Sequence, residues 1–182
     1  MRLSLILALT LFQGCSLADR IESVPAGSAR NLPVIEGNGY SGVIFPADRA
    51  KGLAESFGLR VGGYWTPNSE LIARLESKLR PALEEESRSQ IPPGEPGRRA
   101  FLIGEAGKIL AHFEEYKRQY VGIILLNGSR RVFLNCFRPS DDPSDGWRQD
   151  LVVVDDGGFW FWQIQFDLDS QHFVDFTSNG YV

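Results

Sequence analysis

The 182-residue chain holds few side chains suited to acid, base or nucleophilic chemistry, and their spacing argues against most reactions. Its two histidines, His112 and His172, belong to no H-E-x-x-H pair or other metal-ligand spacing. Cys136 has no histidine near it in sequence and reads as a small buried hydrophobe rather than a nucleophile. The run Asp141-Asp142-Pro143-Ser144-Asp145-Gly146 reads as a surface loop, because it lacks the alternating acids and distal glutamate of a calcium loop. Asp167 and Asp169 are expected to end a strand rather than to work as acid and base. No phosphate-cradling glycine loop and no dinucleotide fingerprint is present. These readings assign no catalytic residue, no metal and no cofactor, and the chain is expected to bind rather than to react.

The residues that could bind lie around Asn127-Gly128. This dipeptide between two apolar runs is a strong hairpin signal, since a two-residue type I′ turn needs positive φ at both central positions. Counting outward from a two-residue turn pairs Val121 with Leu134 and Gln119 with Cys136, a largely apolar side expected to meet the helices. The other side then carries Arg118, Tyr120, Phe133, Asn135 and Phe137, because alternation fixes the faces. A second hairpin is expected at Asp156-Gly157, with Trp160, Trp162, Ile164 and Phe166 toward the core. Phe159 and Phe161 then join the second face. Either the glycine-rich stretch before Thr66 folds over these rings as a second core layer, or the rings form a groove oriented by Arg118 and Asn135. The expected function is a binding or interaction module for an unknown protein or small ligand, acting through this aromatic face. The alternative is a small enzyme with a cone-shaped pocket between curved sheet and helices, using Asn135, Tyr120 or His172.

The elements that must carry this face follow from periodicity. Thr66-Pro67 reads as a helix start, and Leu71, Ile72, Leu75, Leu79 and Leu83 repeat with a helical period, with Glu76 placed off that face. Pro81 is expected to bend or end this helix. A second helix is expected over 105–117. Five strands follow at 118–126, 130–138, 149–155, 158–167 and 172–177, where the period changes to two. Helices first and strands afterwards predict an α+β domain over 64–182, with two N-terminal helices on one face of a four- to five-stranded antiparallel sheet. Residues 32–63, with seven glycines and two prolines, read as an N-terminal extension.

Arg2 followed by the apolar run Leu3–Phe12 matches a secretory signal peptide and is too short to span a bilayer. Phe12-Gln13-Gly14-Cys15 resembles a lipobox, which makes residues 1–14 the signal, Cys15 the lipidated N-terminus and 15–31 a tether. Ser16-Leu17-Ala18 offers an ordinary cleavage site instead, ending the signal at 18. The expected place is the cell envelope, as an outer-membrane lipoprotein rather than a soluble periplasmic protein. Cys136 is alone in the mature chain on either reading, so no internal disulfide can form. Net charge is −4, which gives no basic footprint for nucleic acid. Residues 139–182 carry nine aspartates against one arginine, Arg148.

Tyr64-Trp65-Thr66-Pro67, Tyr116-Lys117-Arg118-Gln119-Tyr120-Val121-Gly122, Asn135, Asp156-Gly157-Gly158 and Asn179-Gly180 occur in that order. The set resembles a family of small bacterial exported proteins without an assigned activity. The resemblance implies export and a helix-then-sheet order similar to cystatin-like domains, and it adds no catalytic residue. For export, intact mass spectrometry of the mature protein is the decisive measurement. A lipidated chain starting at Cys15 is expected, and a bare chain starting at Asp19 would replace it with simple cleavage.

Overall fold

The computed structural model describes residues 31–52, 54–89, 96–139 and 145–180. The signal, the Cys15 lipidation site and most of the tether lie outside them, as does most of the aspartate run at 141–144. No described helix is long and apolar enough to cross a membrane.

Seven strands form one mixed sheet. β1 (Val34–Gly37) and β2 (Tyr40–Phe45) are a hairpin closed by Asn38-Gly39. A short helix, α1 (Ala47–Ala50), and a 3-10 turn at Ala54–Phe57 lead to β3 (Val61–Trp65). The long helices α2 (Ser69–Ser87) and α3 (Pro96–Ala111) come next. The chain then runs through β4 (Lys117–Leu125), β5 (Arg130–Phe137), β6 (Phe161–Asp167) and β7 (Phe173–Ser178). Strand order is β1-β2-β4-β5-β6-β7. β2 lies parallel to the first half of β4, and β3 pairs antiparallel with its second half.

This overturns the expected four- to five-stranded antiparallel sheet with N-terminal helices. Three strands precede α2, so the long helices are mid-chain, and the β2–β4 pair makes the sheet mixed. The physical reason lies in residues 34–65. Their glycines do not dissolve the segment into a tether but let strands approach closely. Gly42 shows this on β2, where a Cβ would lie 2.4 Å from the Arg118 carbonyl oxygen on β4.

α2 starts where Asn68, not Thr66, caps it: Asn68 Oδ1 accepts from the Leu71 N–H at 2.8 Å. The Thr66 hydroxyl instead accepts from the Ala47 N–H at 2.9 Å, tying α1 to the entry of α2. Leu71, Ile72, Leu75, Leu79 and Leu83 are buried against Tyr120, Val132, Leu134, Cys136, Trp162, Ile164 and Phe166 of the sheet. Each such side chain contributes about 1.5–3 kcal/mol by leaving water. The opposite side of the sheet has its own core, in which Val43, Phe45, Val121, Ile123 and Phe133 meet Ala50, Ala54, Phe57 and Leu59.

The β4–β5 turn decides which side chain joins which layer. Leu125 and Ser129 pair across it, with the Leu125 N–H donating to the Ser129 carbonyl at 2.9 Å, so the loop is three residues long. The Gly128 N–H donates to the Leu125 carbonyl, and Gly128 takes φ +88°. This is a type I turn followed by a left-handed residue. The Asn127 side chain reinforces it by accepting from the Ser129 N–H at 3.1 Å. Tyr120 therefore faces Leu134 and Arg118 faces Cys136, one residue away from the two-residue count. The expected hairpin at Asp156-Gly157 does not form. Residues 149–157 are irregular, Gly157 takes φ +96°, and a 3-10 turn at Gly158–Trp160 leads into β6.

Leu126 at the turn tip is 72% exposed, so its side chain contributes little. Leu126→Ser is expected to change stability by less than about 0.5 kcal/mol in urea unfolding. Deleting Leu126 leaves Leu125 opposite Ser129 across a two-residue Asn-Gly loop, which keeps every pair between β4 and β5. The deletion protein is therefore expected to unfold cooperatively, within about 1 kcal/mol of the wild type. Loss of cooperative unfolding would contradict the pairing of Leu125 with Ser129.

Candidate functional site

The slip divides the residues expected on one face. Arg118 and Tyr120 lie beneath the helices, while Phe133, Asn135 and Phe137 lie on the other side. Phe159 also goes to the helix side. It stacks on His112 with ring centroids 5.8 Å apart, and its carbonyl accepts from the Tyr116 hydroxyl at 2.6 Å. Trp162, Ile164 and Phe166 are in the helix-side core, but Trp160 sits in the 3-10 turn and is 41% exposed. Phe161 is half-buried opposite Phe137.

Beneath the helices the structure builds a buried charged group. Glu76 Oε1 accepts from the Tyr120 hydroxyl at 2.8 Å and lies 3.1 Å from Arg118 Nε, whose N–H is not aligned with it. The Arg118 guanidinium donates from Nη1 to the Tyr116 carbonyl at 2.8 Å and from Nη2 to the Phe113 carbonyl at 3.3 Å. It also sits 4.8 Å above the Phe113 ring. Glu76 is only 7% exposed, against the expectation that placed it off the apolar face. It stands four residues after Ile72 and so lies on the same helical stripe. Desolvation raises its carboxyl above the ordinary value, and the Arg118 charge opposes that rise. Burial likewise pushes the Cys136 thiol upward, which keeps it protonated and unreactive.

On the other side the aromatic face is largely covered. Phe57 lies on Phe133 with centroids 5.1 Å apart, and Trp147 meets the edge of Phe137 at 6.0 Å. Between them a ladder of buried amides anchors the segment 147–152. Gln119 Nε2 donates to the carbonyls of Trp147 at 2.7 Å and Asp150 at 2.8 Å, while its Oε1 accepts from the Val152 N–H at 2.9 Å. Asn135 Nδ2 donates to Gln119 Oε1 and to the Val152 carbonyl, and Gln163 Nε2 donates to Asn135 Oδ1 at 3.2 Å. Asn135 is thus a fastening for the cover, not an exposed orienting group.

The cover stops short of β6 and β7. A cleft of about 500 Å³ opens there, lined by Phe57, Leu59, Leu102, Phe133 and Phe176. Its polar groups are Gln163, Gln165, Thr177 and Asp175, with Arg98 exposed at the rim. Arg131 holds two of these groups, donating to Gln165 Oε1 at 3.1 Å and Asp175 Oδ2 at 2.6 Å, and also donates to Asp167 Oδ2 at 3.1 Å. Of the residues expected to bind, Phe133 alone lines this cleft. Gln163 and Gln165 were not singled out, although Trp-Gln-Ile-Gln-Phe places two amides opposite an apolar row.

Other clefts open elsewhere among the described residues. One of about 460 Å³ lies between α2, α3 and β7, where Glu86 pairs with Arg99 and His172 contributes to the wall. Another of about 350 Å³ lies at the start of α2, between Trp65, Arg74 and Arg130. None of the three is lined by Glu76, Arg118 or Tyr120. No group of three metal-ligating side chains occurs among the described residues. The chain matches no family model, no curated protein and no solved structure.

The buried group yields a stability test. Removing one member of a buried pair strands the other, so Arg118→Met is expected to cost about 3–5 kcal/mol in urea unfolding. Glu76→Gln with Arg118→Met keeps an acceptor for the Tyr120 hydroxyl and should recover part of that loss. Because the folded Glu76 carboxyl is raised, folding takes up a proton between its ordinary and raised values. Its contribution therefore falls as pH rises through that window, and Glu76→Gln should remove this component from stabilities measured over about pH 4–8. An additive double variant would refute the coupling.

Proposed function

We propose that the protein is an exported, lipid-anchored envelope binding module with no catalytic role, which takes a small ligand with an apolar body into the cleft over β6 and β7. The observation that carries this reading is the cleft itself. Apolar walls from Phe57, Leu59, Leu102, Phe133 and Phe176 surround a few fixed polar groups, the usual composition of a ligand site. Its volume of about 500 Å³ lies within the ordinary range for such sites. The walls come from three separate parts of the chain, namely the 3-10 turn region, α3 and the sheet. The floor belongs to hydrogen-bonded strands at the β7 end of the sheet, which favours a preformed site over one assembled by the ligand.

Export and anchoring rest on the Arg2–Phe12 signal pattern and on Cys15. The mostly small and polar tether of residues 15–31 would hold the domain at the membrane surface with its cleft accessible. The aromatic face takes part through Phe133, while Arg118 and Tyr120 serve the fold.

The apolar dye 1-anilinonaphthalene-8-sulfonate tests the site directly. The wild-type protein is expected to enhance its fluorescence. Thr177→Trp, which fills the cleft, and Leu59→Asp, which charges its wall, should each reduce that enhancement at least about fivefold with melting temperature held within a few degrees. Leu126→Asp at the distant turn should leave it unchanged. Equal enhancement in all four proteins would remove the cleft as a ligand site.

A further inference from the structure

We infer that the cleft recognises a neutral peptide segment with apolar side chains, through one free acceptor on Gln163 and one free donor on Gln165. The inference rests on the cleft being a ligand site, and it names the ligand's chemistry.

The orientation of each amide is imposed by partners that cannot change roles. The carbonyls of Trp147 and Asp150 only accept, so Gln119 must present Nε2 to them and Oε1 to its other neighbours. The Val152 carbonyl fixes Asn135 in the same way, with Nδ2 toward Val152 and Gln119. Asn135 Oδ1 is then what faces Gln163, which must answer with Nε2. Gln163 Oε1 is left over. From the other end, Arg131 can only donate, so Gln165 presents Oε1 to it and Gln165 Nε2 is left over.

Neither atom has a partner among the described residues, although Gln163 is 6% and Gln165 is 5% exposed. Neither is sealed off. The unpartnered side-chain polar atoms that are fully buried are Arg118 Nε and Trp162 Nε1. The residual exposure of both glutamines is toward the cleft they line. Two side chains more than nine-tenths buried thus present an unpartnered acceptor and an unpartnered donor to a cleft whose other polar groups are Thr177, Asp175 and Arg98.

That pair is the complement of an extended peptide residue, which offers its own N–H and C=O along one edge. Gln163 and Gln165 are two apart on one strand face, about 6.5 Å at the backbone, within reach of the N–H and C=O of one extended residue through their long side chains. The ligand N–H would donate to Gln163 Oε1 and its carbonyl would accept from Gln165 Nε2. Side chains flanking that residue would rest on Phe57, Leu59, Phe133 and Phe176. A carboxylate or phosphate fits the floor poorly, because it offers no donor to Gln163. A cation finds Asp175 already engaged by Arg131 at 2.6 Å.

The test is a calorimetric or NMR titration of the purified protein with N-acetyl-leucyl-leucine N-methylamide and with analogues in which each N–H in turn becomes an ester oxygen. One ester is expected to bind about five- to tenfold more weakly than the amide. Gln163→Met should abolish that difference, bringing the two affinities within about twofold. Gln165→Met should weaken amide and ester alike, because both keep the carbonyl. Melting temperatures of both variants check that the amide ladder still holds. Equal binding of all analogues to the wild type, or a preference that survives Gln163→Met, overturns the inference. So does a dye that binds the cleft and is not displaced by the peptide. If neither dye nor peptide binds, the cleft reading fails with it.

Discussion

The whole arrangement depends on the length of one turn. In a sheet covered on both sides, a register is also a sorting rule, because each one-residue step exchanges the two layers. The three-residue loop Leu126–Gly128 sends Tyr120 and Arg118 beneath α2 and leaves Val121 and Ile123 for the second core. With β4 set, β2 and β3 must border it on one side and β5 on the other. The glycines on these strands then fall where another element presses closest, as Gly122 does against Trp65. Register, layer composition and close approach are one constraint expressed three times.

That sorting places a full ionic group in the helix-side core. A buried charged pair is a poor source of net stability against an apolar replacement, since two ions must be desolvated. Its effect is directional. Glu76 on α2 can meet Tyr120 and Arg118 in one rotation and one axial position of the helix, whereas leucines tolerate sliding. The Arg118 guanidinium also takes up the carbonyls of Phe113 and Tyr116, where the chain leaves α3 and enters β4. One side chain therefore ties the long helices to the strand that the turn has oriented. The second layer uses neutral amides for the same purpose, fastening residues 147–152 over Asn135 without burying a charge.

Much of this was legible in the sequence, and the parts that were not have identifiable causes. The apolar stripe of α2 and the second-face placement of Phe133, Asn135 and Phe137 follow from periodicity alone. The error on β4 came from the turn: Asn-Gly specifies positive φ at glycine but not whether the loop holds two residues or three. The same dipeptide closes both hairpins, with a two-residue loop at Asn38-Gly39 and a three-residue one at Asn127-Gly128. Residues 32–63 looked like an extension because their strands are short and glycine-rich, and such strands gain their stability from pairing with distant β4. Residues 149–155 looked like a strand because they are apolar, but their task is to cover Asn135 and Phe137. Glu76 was misplaced by its residue type, although its position on the helical stripe was correct.

The cleft follows from an imbalance between sheet and cover. The segments available to roof the second face, residues 54–59 and 147–152, reach Phe133 and Phe137 but do not extend over β6 and β7. Apolar side chains at positions 163 and 165 would leave Asn135 Oδ1 and the Arg131 guanidinium each without one of its partners. Glutamines complete the amide ladder on one side and hold Arg131 on the other. Because each is held from one end by a partner of fixed polarity, its other end has a fixed polarity too. A surface polar residue would be free to turn and match any ligand. These two are not, and that restriction gives the floor of the cleft a chemical preference rather than mere wettability.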